Sequence, residues 1–182
     1  MGLKKVLFVF VGLVCMGYST QLQANSISVS ADVPLKQTFR NTTLKTDGKP
    51  SGYVLQVKLP MLVGVGLEQY DSKLKLSTTH IISDLYTIFY QLPIPILNIT
   101  FGAGYGKTKY DCPTCIGDTT FKDAKTSTQF VQIGWSILPL LDIHYGLHNT
   151  YGSVEAKDLG NGVVTKMNIG GTVSTVGLSI GF

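Results

Sequence analysis

The sequence predicts an all-β fold: an eight-stranded antiparallel up-and-down transmembrane β-barrel. Three observations predict it. Apolar residues alternate with small or polar ones along run after run, which is the side-chain period of a strand. The polar side of that alternation is mostly Gly, Ser, Thr and Asn, not the long charged side chains of a solvated sheet face. Three Leu-Pro turns alternate with four longer polar segments, the rhythm of short turns and long loops found in membrane barrels.

Ahead of the strands, residues 1–24 read as a cleaved signal peptide. Lys4 and Lys5 form a basic n-region, Val6 to Met16 an apolar h-region, and "LQA" at Leu22 to Ala24 a cleavage site. The apolar run is too short to cross a bilayer as a helix. Residues 25–182 are then one domain, and loss of Lys4 and Lys5 lowers the formal charge from +4 to +2. So small a charge is not the concentrated basic face of a nucleic-acid binder.

The first strand sets Ile27, Val29, Ala31 and Val33 against Ser28, Ser30 and Asp32. The second sets Tyr53, Leu55 and Val57 against Gln56 and Lys58, and the third Val63, Val65 and Leu67 against Gly64, Gly66 and Glu68. In the run from His80 to Leu92 both faces are mixed. The cost of a charge facing lipid near the midplane favours placing Asp84 in the lumen, with a bulge as the other way to reconcile the run. The fifth strand alternates Leu97, Ile99, Phe101, Ala103 and Tyr105 with Asn98, Thr100 and three glycines. The sixth carries Val131, Ile133, Trp135 and Ile137, and the seventh Ile143, Tyr145 and Leu147 opposite Asp142, His144 and His148. The last places Val176, Leu178, Ile180 and Phe182 opposite Thr175, Gly177, Ser179 and Gly181. Bulky apolar faces would meet lipid and small polar faces would line a narrow lumen, the inverse of a soluble sandwich.

Pro60, Pro93 and Pro139 sit in the three tight turns, where a fixed φ and a missing donor cost nothing. The longer segments, near Lys36–Ser51, Asp71–Thr78, Lys107–Ser127 and Gly152–Thr165, are expected as external loops. Three turns and four loops join eight strands and leave both termini on the short-turn, periplasmic side.

The chain ends "TVGLSIGF", with Thr175, Gly177, Ile180 and Phe182 spaced as polar, glycine, apolar and terminal aromatic. This resembles the C-terminal signal by which outer-membrane barrels are recognised by their assembly machinery, with Ile180 where an aromatic is more usual. In pattern and length the mature chain resembles the small eight-stranded outer-membrane barrels typified by the OmpA transmembrane domain, OmpX and neisserial NspA. The resemblance implies a monomeric, porin-like cell-envelope protein of the bacterial outer membrane. Tyr105 and Trp135 fall where such barrels carry aromatic belts.

The lumen face collects Asp32, Lys58, Glu68, Asp142, His144 and His148. Buried charges need partners, so a structural polar network is expected. As metal ligands these residues are poor, because His144 and His148 lie about 13 Å apart along one strand. A nucleophilic arrangement of Ser136, His144 and Asp142 requires the turn to centre on Leu140, and a turn centred on Pro139 sets Ser136 against Asp142 instead. The spacing in "DCPTC" suits a disulfide between Cys112 and Cys115 in an exported chain, since a redox context or further zinc ligands are missing.

No cofactor is expected. The loops carry Lys36, Arg40, Lys45, Lys49, Lys73, Lys75, Lys107, Lys109, Lys122 and Lys125, suited to lipopolysaccharide phosphates. The expected function is that of a non-enzymatic outer-membrane protein whose loops contact lipopolysaccharide or a surface partner. A lipid A-modifying acyl hydrolase or acyltransferase, and a small pore, are the alternatives.

Overall fold

In the computed structural model the described residues are 27–182, apart from 42, 47–48, 76–77, 93, 95–96, 113–118, 139 and 159–163. The expected signal peptide and the turn prolines Pro93 and Pro139 lie outside them. All eight expected strands form: β1 (Ser28–Phe39), β2 (Ser51–Lys58), β3 (Val63–Lys73), β4 (His80–Leu92), β5 (Leu97–Asp111), β7 (Ala124–Leu138), β8 (Leu141–Asp158) and β10 (Gly171–Gly181). Two short strands, β6 (Thr119–Lys122) and β9 (Val164–Asn168), were not expected.

The ladder order β10-β1-β2-β3-β4-β5-β7-β8 is antiparallel throughout, and β10 pairs with β8, so the sheet closes on itself. Closure removes the two edges an open sheet would have, although the β1–β2 ladder spans only Ser28–Asp32 against Val54–Lys58. One circuit of the register runs Tyr105, Tyr86, Leu67, Leu55, Ala31, Leu178, Ile143 and Trp135, then meets β5 again at Leu97, eight residues from its start. That stagger in eight strands corresponds to a tilt of about 36°, within the range of membrane barrels.

Burial alternates along the walls and breaks where the register slips, at Leu35–Lys36 on β1 and Ile137–Leu138 on β7. Val63, Val65 and Leu67 on β3 are exposed, while Gly64 and Glu68 between and beyond them are buried. The outward apolar band runs from Trp135, Ile137 and Phe182 at the short-turn end to Tyr53, Tyr86 and Tyr105 at the loop end. Measured along the tilted strands it is roughly 21 Å tall, close to the apolar band of outer-membrane barrels. Tyr105 and Trp135, 56% and 49% exposed, therefore lie on opposite edges of the band.

The lumen is filled. Phe89 and Phe130 enter it only because glycines face them: a Cβ on Gly64 would stand 2.1 Å from Phe89 Cζ, and one on Gly102 2.2 Å from Phe130 Cζ. Pro34 is accommodated where β1 slips register against β10, between Pro34 and Lys36, since a proline cannot donate to an unbroken ladder. The turn after β2 is tight: Leu59 N–H donates to Val63 O at 2.7 Å, and Met61 and Leu62 take φ of 74° and 67°.

The structure corrects two expectations. Asp84 does not face the lumen; it is exposed on the outer wall, where its Oδ1 accepts from Gln69 Nε2 at 2.9 Å. The register places Asp84 level with Gln69 and beside Lys107, just beyond the apolar band, so no lipid penalty applies there. Strands also continue into segments expected as loops. β5 runs to Asp111, β7 begins at Ala124, and the 18-residue β8 reaches Asp158 with β6 and β9 on its flanks. Beyond the membrane the outer face has no reason to be apolar, so alternation fades although the ladder continues.

Candidate functional site

Period two points Asp32 of β1, Gln132 of β7, His144 of β8 and Thr175 of β10 into one level of the lumen. Asp32 Oδ1 lies 2.5 Å from His144 Nε2, and Asp32 Oδ2 accepts from Gln132 Nε2 at 2.9 Å and from Thr175 Oγ1 at 3.4 Å. Slightly nearer the loops, Glu68 Oε1 lies 3.0 Å from His148 Nδ1, and its Oε2 accepts from Tyr70 OH at 2.9 Å. Thr175 Oγ1 is also 3.3 Å from His148 Nε2. A continuous network therefore runs from His144 through Asp32, Thr175 and His148 to Glu68 and Tyr70.

Each carboxylate faces an imidazole and accepts a second donor, the condition under which a buried ion is tolerated. Asp32, Glu68 and His148 have side chains sealed from solvent. Phe130 stacks on the His148 ring at 4.8 Å, and Tyr70 meets the ring edge-on at 6.1 Å. Such packing leaves the imidazole no freedom to swing.

Asp142 belongs to a separate cluster at the short-turn end. It accepts from Asn98 Nδ2 at 2.8 Å and lines, with Lys58, Gln56, Gln91 and His144, a cavity of about 40 Å³. That volume suits a few waters held by polar walls, not a substrate. Towards the loops two apolar layers close the lumen: Val54, Tyr70, Leu85 and Val173, then Leu74, Ile81, Ala124, Val154 and Ile169. Between them lie hydroxyls paired with each other, including Ser83 with Thr108 and Thr126 with Thr108, both at 2.8 Å.

The arrangement of Ser136, His144 and Asp142 as a nucleophilic site is overturned. The register sets Ser136 against Asp142 and Gly134 against His144, with a bulge between Ser136 and Leu138. His144 directs its Nε2 to Asp32 across the lumen, so the imidazole is not set against Ser136. Among the described residues, no three His, Cys, Asp or Glu side chains are placed to hold a metal ion.

Two residues read from the C-terminal pattern also serve the lumen. Thr175 is fully buried in the network, and Gly177 packs against Asp32, while Ile180 and Phe182 face outward. Phe182 N–H donates to Ile27 O at 2.8 Å, tying the last residue to the first strand. Cys112 directly follows β5; Cys115 lies outside the described residues.

Sequence reasoning placed the ionisable lumen residues on the inner face but not their partners. Tyr70, Gln132, Thr175 and Asn98 were missed as network members. The signal available for Tyr70 was its parity with Glu68 on β3; the others required knowledge of which strands meet across the barrel.

At the loop-side rim, His80 Nδ1 lies 2.9 Å from Asp71 Oδ1, and Arg40 stacks its guanidinium 3.9 Å over the Tyr151 ring. Lys107 and Lys125 stand directly opposite each other on β5 and β7, both exposed.

No protein-family model and no curated protein matches the chain. Among solved structures, the fold is similar to that of neisserial surface protein A, with 13% identity, 86% of this chain and 97% of that one covered, and a TM-score of 0.58. It is similar also to the outer membrane protein AlkL, solved by solid-state NMR in DMPC bilayers, with 12% identity, coverage of 87% and 90%, and a TM-score of 0.57. At these identities the likeness is one of fold. The chain has the eight-stranded barrel architecture of small outer-membrane proteins.

Proposed function

We propose that this chain is an integral protein of the bacterial outer membrane, non-enzymatic, whose external loops contact lipopolysaccharide or a surface partner. The observation that carries the reading is the pairing of a continuous outward apolar band with a filled lumen whose ionisable groups are partnered. Such a barrel offers lipid an outer surface, and among the described residues its lumen is packed by side chains around a cavity of about 40 Å³. What remains for recognition is the loop side, with Lys36, Arg40, Lys45, Lys49, Lys73, Lys75, Lys107, Lys109, Lys122 and Lys125.

In this reading residues 1–24 are removed on export, both termini are periplasmic, and the C-terminal strand is what the assembly machinery engages. Cys112 and Cys115 form a disulfide at the tip of the loop after β5. That pairing is supported by the disulfide-bonded state of Cys112. Rapid thiol labelling of intact cells without a reductant would rule the disulfide out.

Membrane fractionation with heat-modifiable gel migration tests location and fold together; identical migration before and after boiling would contradict a folded barrel. Mass spectrometry of lipid A from cells with and without the protein tests the activity. A change in acyl content would replace this reading with an enzymatic one. A steady, substantial conductance in planar bilayers would replace it with a pore.

A further inference from the structure

We propose that the outer wall holds one phosphorylated, acylated lipid of the surrounding leaflet, with an acyl chain in an apolar groove over β1–β5 and a phosphate on Lys107 of β5 and Lys125 of β7. The proposal rests on the outer-membrane reading above and names a particular site within it.

The groove comes from side-chain size. Along the outward face of β5, Ala103 stands between Phe101 and Tyr105, so the wall dips there. A groove of about 890 Å³ crosses β1–β5, bordered by Val29, Leu55, Leu67, Tyr86, Ile88 and Tyr105. A second groove of about 620 Å³ shares Val65, Ile88 and Ala103 with it and continues to Tyr90 and Phe101. Together they track most of the height of the apolar band, as an extended acyl chain would. Bulk lipid wets every apolar wall; a depression at Ala103, walled on the loop side by the cross-strand pair Tyr86 and Tyr105, can hold one chain in one place.

The charge above the groove is unusual. Lys107 follows Tyr105 by two residues on the same face, about 6–7 Å further along the strand. Its cross-strand partner on β7 is Lys125. Like charges directly opposite destabilise a sheet, and neither ammonium belongs to an ion pair among the described residues. Asp84, the other cross-strand neighbour of Lys107, is engaged by Gln69. A phosphate between the two ammoniums would turn repulsion into two charge-assisted contacts. The register puts this pair just beyond the apolar band, at headgroup depth, with Lys109 two residues further out.

The test is native mass spectrometry of the full mature protein released from detergent, with a bisphosphorylated, multiply acylated glucosamine disaccharide and its dephosphorylated form as probes. Wild type should retain one molecule of the phosphorylated lipid. K107Q/K125Q should lose that adduct by roughly thirtyfold in affinity, from about 1 kcal/mol for each lysine. Ala103→Phe, which fills the groove on the lipid side, should lose it while keeping heat-modifiable migration. An unchanged adduct in both variants, or equal retention of the dephosphorylated lipid, overturns the site. A protein that fractionates with the outer membrane yet gives either result refutes this site alone; fractionation elsewhere refutes the broader reading.

Discussion

Gly177 of β10 lies so close to Asp32 of β1 that a Cβ on the glycine would stand 2.0 Å from Asp32 Oδ1 and 2.5 Å from the Ala31 carbonyl oxygen. The glycine is a requirement of the buried carboxylate beside it. Gly177→Ala should therefore destabilise the barrel by about 1–3 kcal/mol, the usual cost of overpacking, because one of the clashing atoms is backbone. Urea titration in lipid vesicles, read by gel migration, checks this; a variant as stable as wild type would mean that Asp32 is free to move.

Asp32 and His144 should behave as a unit. Asp32→Ala removes an acceptor shared by His144, Gln132 and Thr175 and should cost about 3–5 kcal/mol, as for breaking a buried pair. The double variant D32A/H144A should cost clearly less than the sum of the two singles, since the second change removes a group already stranded. Additive losses in the same unfolding assay would show that the two side chains do not depend on each other.

The Met61–Leu62 turn carries two side chains at positive φ, where the Cβ is disfavoured. Met61 is 80% exposed, whereas Leu62 is buried. Met61→Asn should thus stabilise by about 0.5–1 kcal/mol by relieving the left-handed conformation without loss of packing. Leu62→Asn should not stabilise, because it removes a buried apolar side chain. A fall in the urea midpoint for Met61→Asn would contradict the geometry.

The limit of the apolar band can be read with charge. Asp84→Lys lies beyond the band and should change stability by no more than about 1 kcal/mol. Leu178→Arg, half-exposed and well inside the band, should cost about 2–4 kcal/mol. Refolding into vesicles compares them directly, and equal costs would place one of the two residues at the wrong depth.

The strands, their lipid-facing sides and the ionisable lumen set were legible from the sequence, because side-chain direction in a strand is a local property with a period of two residues. Val63, Val65 and Leu67 declare a face wherever the strand ends up, and so Glu68 had to point inward. Asp84 escaped that logic. Its run is mixed on both faces, and what decided its environment was height along the barrel.

Height and neighbours belong to the tertiary structure. Whether Ser136 meets His144 or Asp142 depends on a one-residue slip beside Leu138, and whether His144 finds Asp32 depends on β1, β10 and β8 meeting when the sheet closes. Each ladder adds its own register, and only the accumulated stagger of eight sets which residues share a level. Outside the mixed run of β4, the sequence by itself determined which side of the wall a strand residue occupies. The closed barrel decided whom it faces across the lumen and whether its outer neighbour is lipid or water, since a periodic pattern carries no record of the offset between strands distant in the chain.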